Sequence, residues 1–88
     1  MLEIITNTFI DSESKLIKIG FKEINDGLFK PYLSSENNRI AGIPLLLERY
    51  QIKRVKHMLD EIRPNDLFRF DYLKLIVAGA CAMCMKKG

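Results

Sequence analysis

At 88 residues and 10.2 kDa, the chain has room for one domain with a small core and none for a large enzyme or a repeat array. Its hydrophobic content of 48% and charged content of 28% exclude a disordered chain, and two cysteines exclude a disulfide-rich secreted scaffold. The net charge of +3 makes it basic without being histone-like.

The chain opens Met1-Leu2-Glu3-Ile4-Ile5-Thr6-Asn7, where an early acid and an early polar break do not match a secretory signal. Leu75–Met85 is the longest uncharged apolar stretch, about half of the ~20 residues that cross a bilayer. The expectation is a cytoplasmic protein with free thiols and no membrane span.

Leu2-Glu3-Ile4-Ile5 begins a first apolar segment, which Asp11-Ser12-Glu13-Ser14 closes. Next, Ile17, Ile19 and Phe21 alternate with Lys18, Gly20 and Lys22, the period of a half-buried strand. Leu16, Gly20 and Ile24, or Ile17, Phe21 and Leu28, would also share a helix face, so an all-α fold with a helix at about 12–26 is the alternative. The β-branched and aromatic side chains, with Gly20 in the interior, favour the strand. Asn25-Asp26-Gly27 signals a hairpin turn, although the same glycine could cap a helix. These signals predict a small N-terminal antiparallel β-meander over 2–10, 15–24 and 28–33, with Pro31 making the third strand an edge.

Ser34–Arg39 reads as a polar connector. Pro44 suits a first helical turn, and Leu47, Ile52, Val55, Met58, Leu59 and Ile62 then fall on one face, which predicts a helix over 44–63. Pro64 disfavours helical geometry at Arg63, and Asn65 or Asp66 would cap a second helix over 65–85, antiparallel to the first. The fold class is α+β, with residues 1–88 as one domain.

Cys81-Ala82-Met83-Cys84 is the one match to a chemical motif. Structural zinc needs four ligands, and the only other soft ligand is His57, so Cys81 and Cys84 are weak metal candidates. A redox pair belongs at a helix start, whereas this one falls in the last turns, so two small buried side chains are the favoured reading. His57 has no nucleophile or orienting acid in any recognisable arrangement, and it lies on a charged side near Lys53. The glycines are scattered, the carboxylates are dispersed, and a helix-turn-helix fails on spacing because Leu47 and His57 stand where small and apolar residues would be needed. No catalytic residue, metal, cofactor or small-molecule substrate is expected.

Two surfaces point to partners. Arg49, Lys53, Arg54 and Lys56 carry four positive charges, with no acid between Glu48 and Asp60 and with His57 beside them. Arg49, Lys53 and Lys56 share one stripe, which Arg54 and His57 flank. Such a face suits phosphate or an acidic protein patch, but the only nearby aromatic is Tyr50, which argues against base stacking. The second helix is apolar or small nearly all round, and Leu75, Ala78, Gly79 and Ala82 mark where a second copy or a protein heteropartner would pack. The expected function is therefore a small non-enzymatic interaction module, a self-associating regulator or adaptor whose basic face docks an acidic partner. The runner-up is a small nucleic-acid-binding regulatory protein that contacts the phosphate backbone.

Overall fold

In the computed structural model of the protein, which describes residues 2–62 and 69–85, the strands come first. They are β1 (Glu3–Ile10), β2 (Leu16–Asn25), β3 (Leu28–Ser35) and β4 (Ile40–Gly42), and helices α1 (Arg49–Asp60) and α2 (Phe70–Met85) follow. One antiparallel sheet holds the strands in the order β1-β2-β3-β4, so the fold is α+β.

The helical alternative at 12–26 falls. Leu16–Asn25 pairs with a strand on each side, and Ile17, Ile19 and Phe21 are fully buried while Lys18 and Lys22 are exposed. Both flanking breaks are built by side chains as well as by backbone. Asp11 Oδ1 accepts the backbone N–H groups of Glu13 and Lys15, each at 2.8 Å, across the β1–β2 turn. At the β2–β3 turn Gly27 has φ +76°, which a side chain would strain, and its N–H donates to the Glu23 carboxylate at 3.1 Å.

Three expectations need correction. The sheet has four strands rather than three. Ser34 and Ser35 extend β3, and the connector shrinks to a turn in which Ser35 N–H donates to Arg39 O at 2.9 Å and Asn38 sits at φ 62°. Strand β3 is consequently interior, so Pro31 does not mark an edge. Phe29 exchanges both backbone hydrogen bonds with Leu47, at 2.8 Å each, on the side away from β2. Backbone groups two residues apart point the same way, so the N–H that Pro31 lacks would also face that side. There the Pro31 carbonyl accepts from Ile43 N–H at 3.0 Å, and the β2 ladder loses nothing.

The first helix begins at Arg49, not Pro44, because the Leu47–Phe29 pair draws the preceding residues along β3. Glu48 stays extended (φ −87°, ψ 165°) and its N–H donates to Gln51 Oε1 at 2.8 Å, as in a capping box. Helix α1 ends at Asp60, short of the expected 63, and α2 runs from Phe70 with Arg69 non-helical, so it does not extend back to 65 as expected. The break at Pro64 and the cap at Asn65 or Asp66 lie outside the described residues.

The core lies on one face of the sheet. Phe9, Ile17, Ile19, Phe21, Phe29 and Leu33 pack against Ile52, Val55 and Leu59 of α1 and against Phe70, Leu73 and Val77 of α2. Each of these large side chains contributes about 1.5–3 kcal/mol by leaving water. Among the described residues no helix packs on the opposite face of the sheet, whose two edges are a bulged β1 and a three-residue β4.

Candidate functional site

Because Ile52, Val55 and Leu59 turn inward, α1 presents Arg49, Lys53, Arg54, Lys56 and His57 outward, and all five are exposed. They differ in how far neighbouring groups engage them. Lys56 Nζ lies 2.8 Å from Asp60 Oδ2, and that ammonium is the largest influence holding the Asp60 carboxyl below its ordinary value. The Asn7 amide, donating to Asp60 Oδ1 at 2.7 Å, acts in the same direction. His57 Nε2 lies 3.7 Å from Glu61 Oε1, and the Arg49 guanidinium sits 5.2 Å from the centre of the Phe29 ring. Lys53 and Arg54 have no carboxylate within 4.0 Å among the described residues.

The expected single stripe becomes two grooves that meet at Lys53. Arg49, Lys53 and Lys56 border a groove of about 590 Å³ against Ile4 and Ile5 of β1, with Tyr50 at its rim. Lys53, Arg54 and His57 border another of about 410 Å³ against Met58, Met83 and Cys84. Each groove therefore joins cationic groups to apolar surface, a combination that needs the tertiary fold.

Helix α2 divides as its composition requires. Phe70, Leu73, Val77, Ala80, Cys81 and Cys84 are buried, whereas Leu75 is 69% exposed, and Gly79 and Ala82 are also exposed. Ala78 departs from this group, since it is half-buried against the core. The sequence reading missed Tyr72 and Met83, 55% and 61% exposed, which join the outer strip. Tyr72, Leu75, Gly79 and Ala82 follow a 3-4-3 spacing, the seam along which helices pair.

Both cysteines are free and buried. Burial, with Cys84 adding to it, pushes the Cys81 thiol up to about 12. Burial also raises Cys84, against the opposing charge of Arg54, and its thiol contacts Met58 Sδ at 3.4 Å. Both thiols are thus held in the neutral form, unlike the thiolates that bind metal or attack disulfides. No group of three or more His, Cys, Asp or Glu side chains among the described residues could hold a metal ion.

The surface that sequence reasoning missed is the open face of the sheet. Register sets three rows across it: Thr8, Lys18, Ser34 and Ile40; then Ile5, Gly20, Tyr32 and Gly42; then Glu3, Lys22 and Lys30. The Tyr32 ring lies across Gly20, where an added Cβ would meet Cζ and Oη at 2.5 Å. Its hydroxyl donates to Glu3 Oε1. Lys22 and Lys30 stand directly opposite one another and, with Glu3 and Tyr32, border a hollow of about 460 Å³. The alternation around Gly20 was visible in the sequence, but only the pairing of β2 with β3 places Tyr32 upon it.

No helix among the described residues is long and apolar enough to cross a membrane. No family model, curated protein or solved structure matches this chain.

Proposed function

We propose that the protein is a small non-enzymatic interaction module, a self-associating regulator or adaptor that docks an acidic protein segment on the basic face of α1. The carrying observation is Lys53. It is exposed, it has no carboxylate partner among the described residues, and it sits where two amphipathic grooves meet. Exposed Tyr50 and Ile5 on one side, and Met83 on the other, offer apolar anchors beside the charge. Interfaces gain affinity from such anchors, and take orientation and association rate from complementary charge. Arg49 and Lys53 are four residues apart and Lys53 and Lys56 three, so the helix carries mild like-charge repulsion that an acidic partner relieves. The outer strip of α2 supports self-association, since Tyr72, Leu75 and Met83 are apolar side chains left in water.

The test uses labelled acidic peptides that carry one central aromatic residue, measured by fluorescence anisotropy on the full chain. Binding should weaken as salt rises and should fall at least about tenfold in the Lys53→Glu, Lys56→Glu double variant. Both positions are exposed, so the variant should keep the wild-type far-UV spectrum. Unchanged affinity in that variant rejects the reading.

A further inference from the structure

We propose that the open face of the sheet is a platform for single-stranded nucleic acid, with the Tyr32 ring as its stacking surface and Lys18, Lys22 and Lys30 as its phosphate contacts. The hollow beside Tyr32 shares no lining residue with the α1 grooves, and the two surfaces come closest at the edge residue Ile5.

Tyr32 carries the argument. Gly20 leaves room for the ring to lie across the β2 backbone, and a hydrogen bond to Glu3 holds its far end. Tyr32 is half-buried, and it borders the hollow that Lys22 and Lys30 also line, where a planar group could meet the ring. Lys18 and Lys22 stand two residues before and after Gly20, about 7 Å along the strand in each direction. Lys30 stands two residues before Tyr32 on β3. None of the three lysines forms an ion pair among the described residues, and Lys22 directly faces Lys30, an arrangement that destabilises a sheet. Glu3 is the acid in these rows, and it is engaged by the tyrosine hydroxyl.

The occupant follows from this chemistry. Three unpaired cations call for a polyanion, and a central aromatic ring calls for a second ring to stack on it. Acidic peptides supply the first feature without a regular supply of the second. In duplex nucleic acid the base faces are already stacked, whereas a single strand presents charge and free base faces together.

The experiment measures anisotropy of a labelled oligothymidine of about 12 nucleotides with the full chain, against its duplex and against polyglutamate. The expected result is saturable binding of the single strand that exceeds both competitors. Log affinity should fall against log salt with a slope of about −2, which corresponds to three neutralised phosphates. Tyr32→Leu should weaken binding about tenfold, while Tyr32→Phe, which keeps the ring, should stay within about threefold. Lys22→Ala with Lys30→Ala should weaken binding and reduce the slope to about −0.7. Lys53→Ala, a smaller charge change on α1, should weaken single-strand binding less than Lys22→Ala with Lys30→Ala or Tyr32→Leu does, which separates this site from the one on α1. Should Tyr32→Leu not fold, amide shift mapping on the wild type decides. Perturbation at Gly20, Lys22, Lys30 and Tyr32 supports the platform, and perturbation confined to α1 overturns it. Equal or tighter binding of duplex or polyglutamate, or wild-type affinity in folded Tyr32→Leu, also overturns it.

Discussion

Replacing Lys30 with Glu should make the protein more stable and a poorer ligand for a polyanion. Lys30 directly faces Lys22 across the β2–β3 pair, and Lys22 directly faces Glu3 across β1–β2. The substitution converts a row of acid, base, base into acid, base, acid. Directly opposed charges on a sheet face are worth about 0.2–1 kcal/mol, unfavourable when alike and favourable when opposite. Removing one repulsion and adding one attraction therefore gives roughly 0.5–1.5 kcal/mol, with solvent exposure favouring the lower half of that range. For a chain of this size each kcal/mol moves Tm by about 4–8 °C, so the melt should rise by roughly 2–8 °C. The assay is thermal unfolding by circular dichroism at about 20 mM and at 1 M salt, because the screening length shrinks to about 3 Å at the higher value. Lys30→Gln, which removes the repulsion alone, should recover about half of the gain, and the difference should vanish in high salt. A Tm at low salt that is unchanged or lower in Lys30→Glu would refute the reasoning. A gain in stability together with lost oligonucleotide binding would show a binding surface kept at the expense of the fold.

Gly20→Ala places a Cβ within 2.5 Å of the Tyr32 ring, so the ring should swing off the strand and release Glu3. The ring-current displacement of the residue-20 α-proton should then disappear while the chain stays folded; its persistence would show that the ring does not rest there. Cys81 is raised by burial from 9.0 to about 12, so above about pH 9 the unfolded chain gives up its proton before the folded one does. That contribution to stability is complete below pH 9 and declines toward pH 12, so urea midpoints should fall over that window and fall less in Cys81→Ala. Parallel declines in the two proteins would count against the burial argument. Leu75→Glu removes the most exposed apolar side chain of α2 at a stability change within about 0.5 kcal/mol. If the proposed self-association runs through this strip, light scattering should give a lower mass than the wild type, and an unchanged oligomer mass would reject that role for α2.

The strands were legible where one face is buried and the other wet. Ile17, Ile19 and Phe21 announce β2 because water lies on one side of them and the core on the other. Strand β4 was not legible, because Ile40-Ala41-Gly42 is too short to show a period and ends in glycine. The start of α1 was misread for a tertiary reason. Pro44 and the apolar residues after it fit a helix locally, but Leu47 finds its hydrogen-bond partner in Phe29, eighteen residues earlier in the sequence. The same limit hid Tyr32. Its neighbours in sequence are a proline and a leucine, and only the β2–β3 register sets it above Gly20 between the lysines. The basic face of α1 was visible because its charges share one local helix, whereas the apolar walls of its grooves come from β1 and α2.

The connectivity of the sheet also bears on the order in which the protein can be made. Every strand pairs with the strand next to it in sequence, so the meander closes through short hairpins as the chain leaves the ribosome. The helix that completes the core, α2, is synthesised after all the other elements. A nascent chain that has emerged only as far as Asp60 lacks the Leu73 and Val77 side of the core in which Phe21, Phe29 and Leu33 are buried. If the strands pair in that interval, an apolar face is open on an aligned sheet, a state in which chains readily pair with one another. The bulge in β1 between Ile5 and Asn7 and the brevity of β4 limit how far such pairing can spread from either side. These irregular edges therefore protect the chain most while the α2 side of its core is still open.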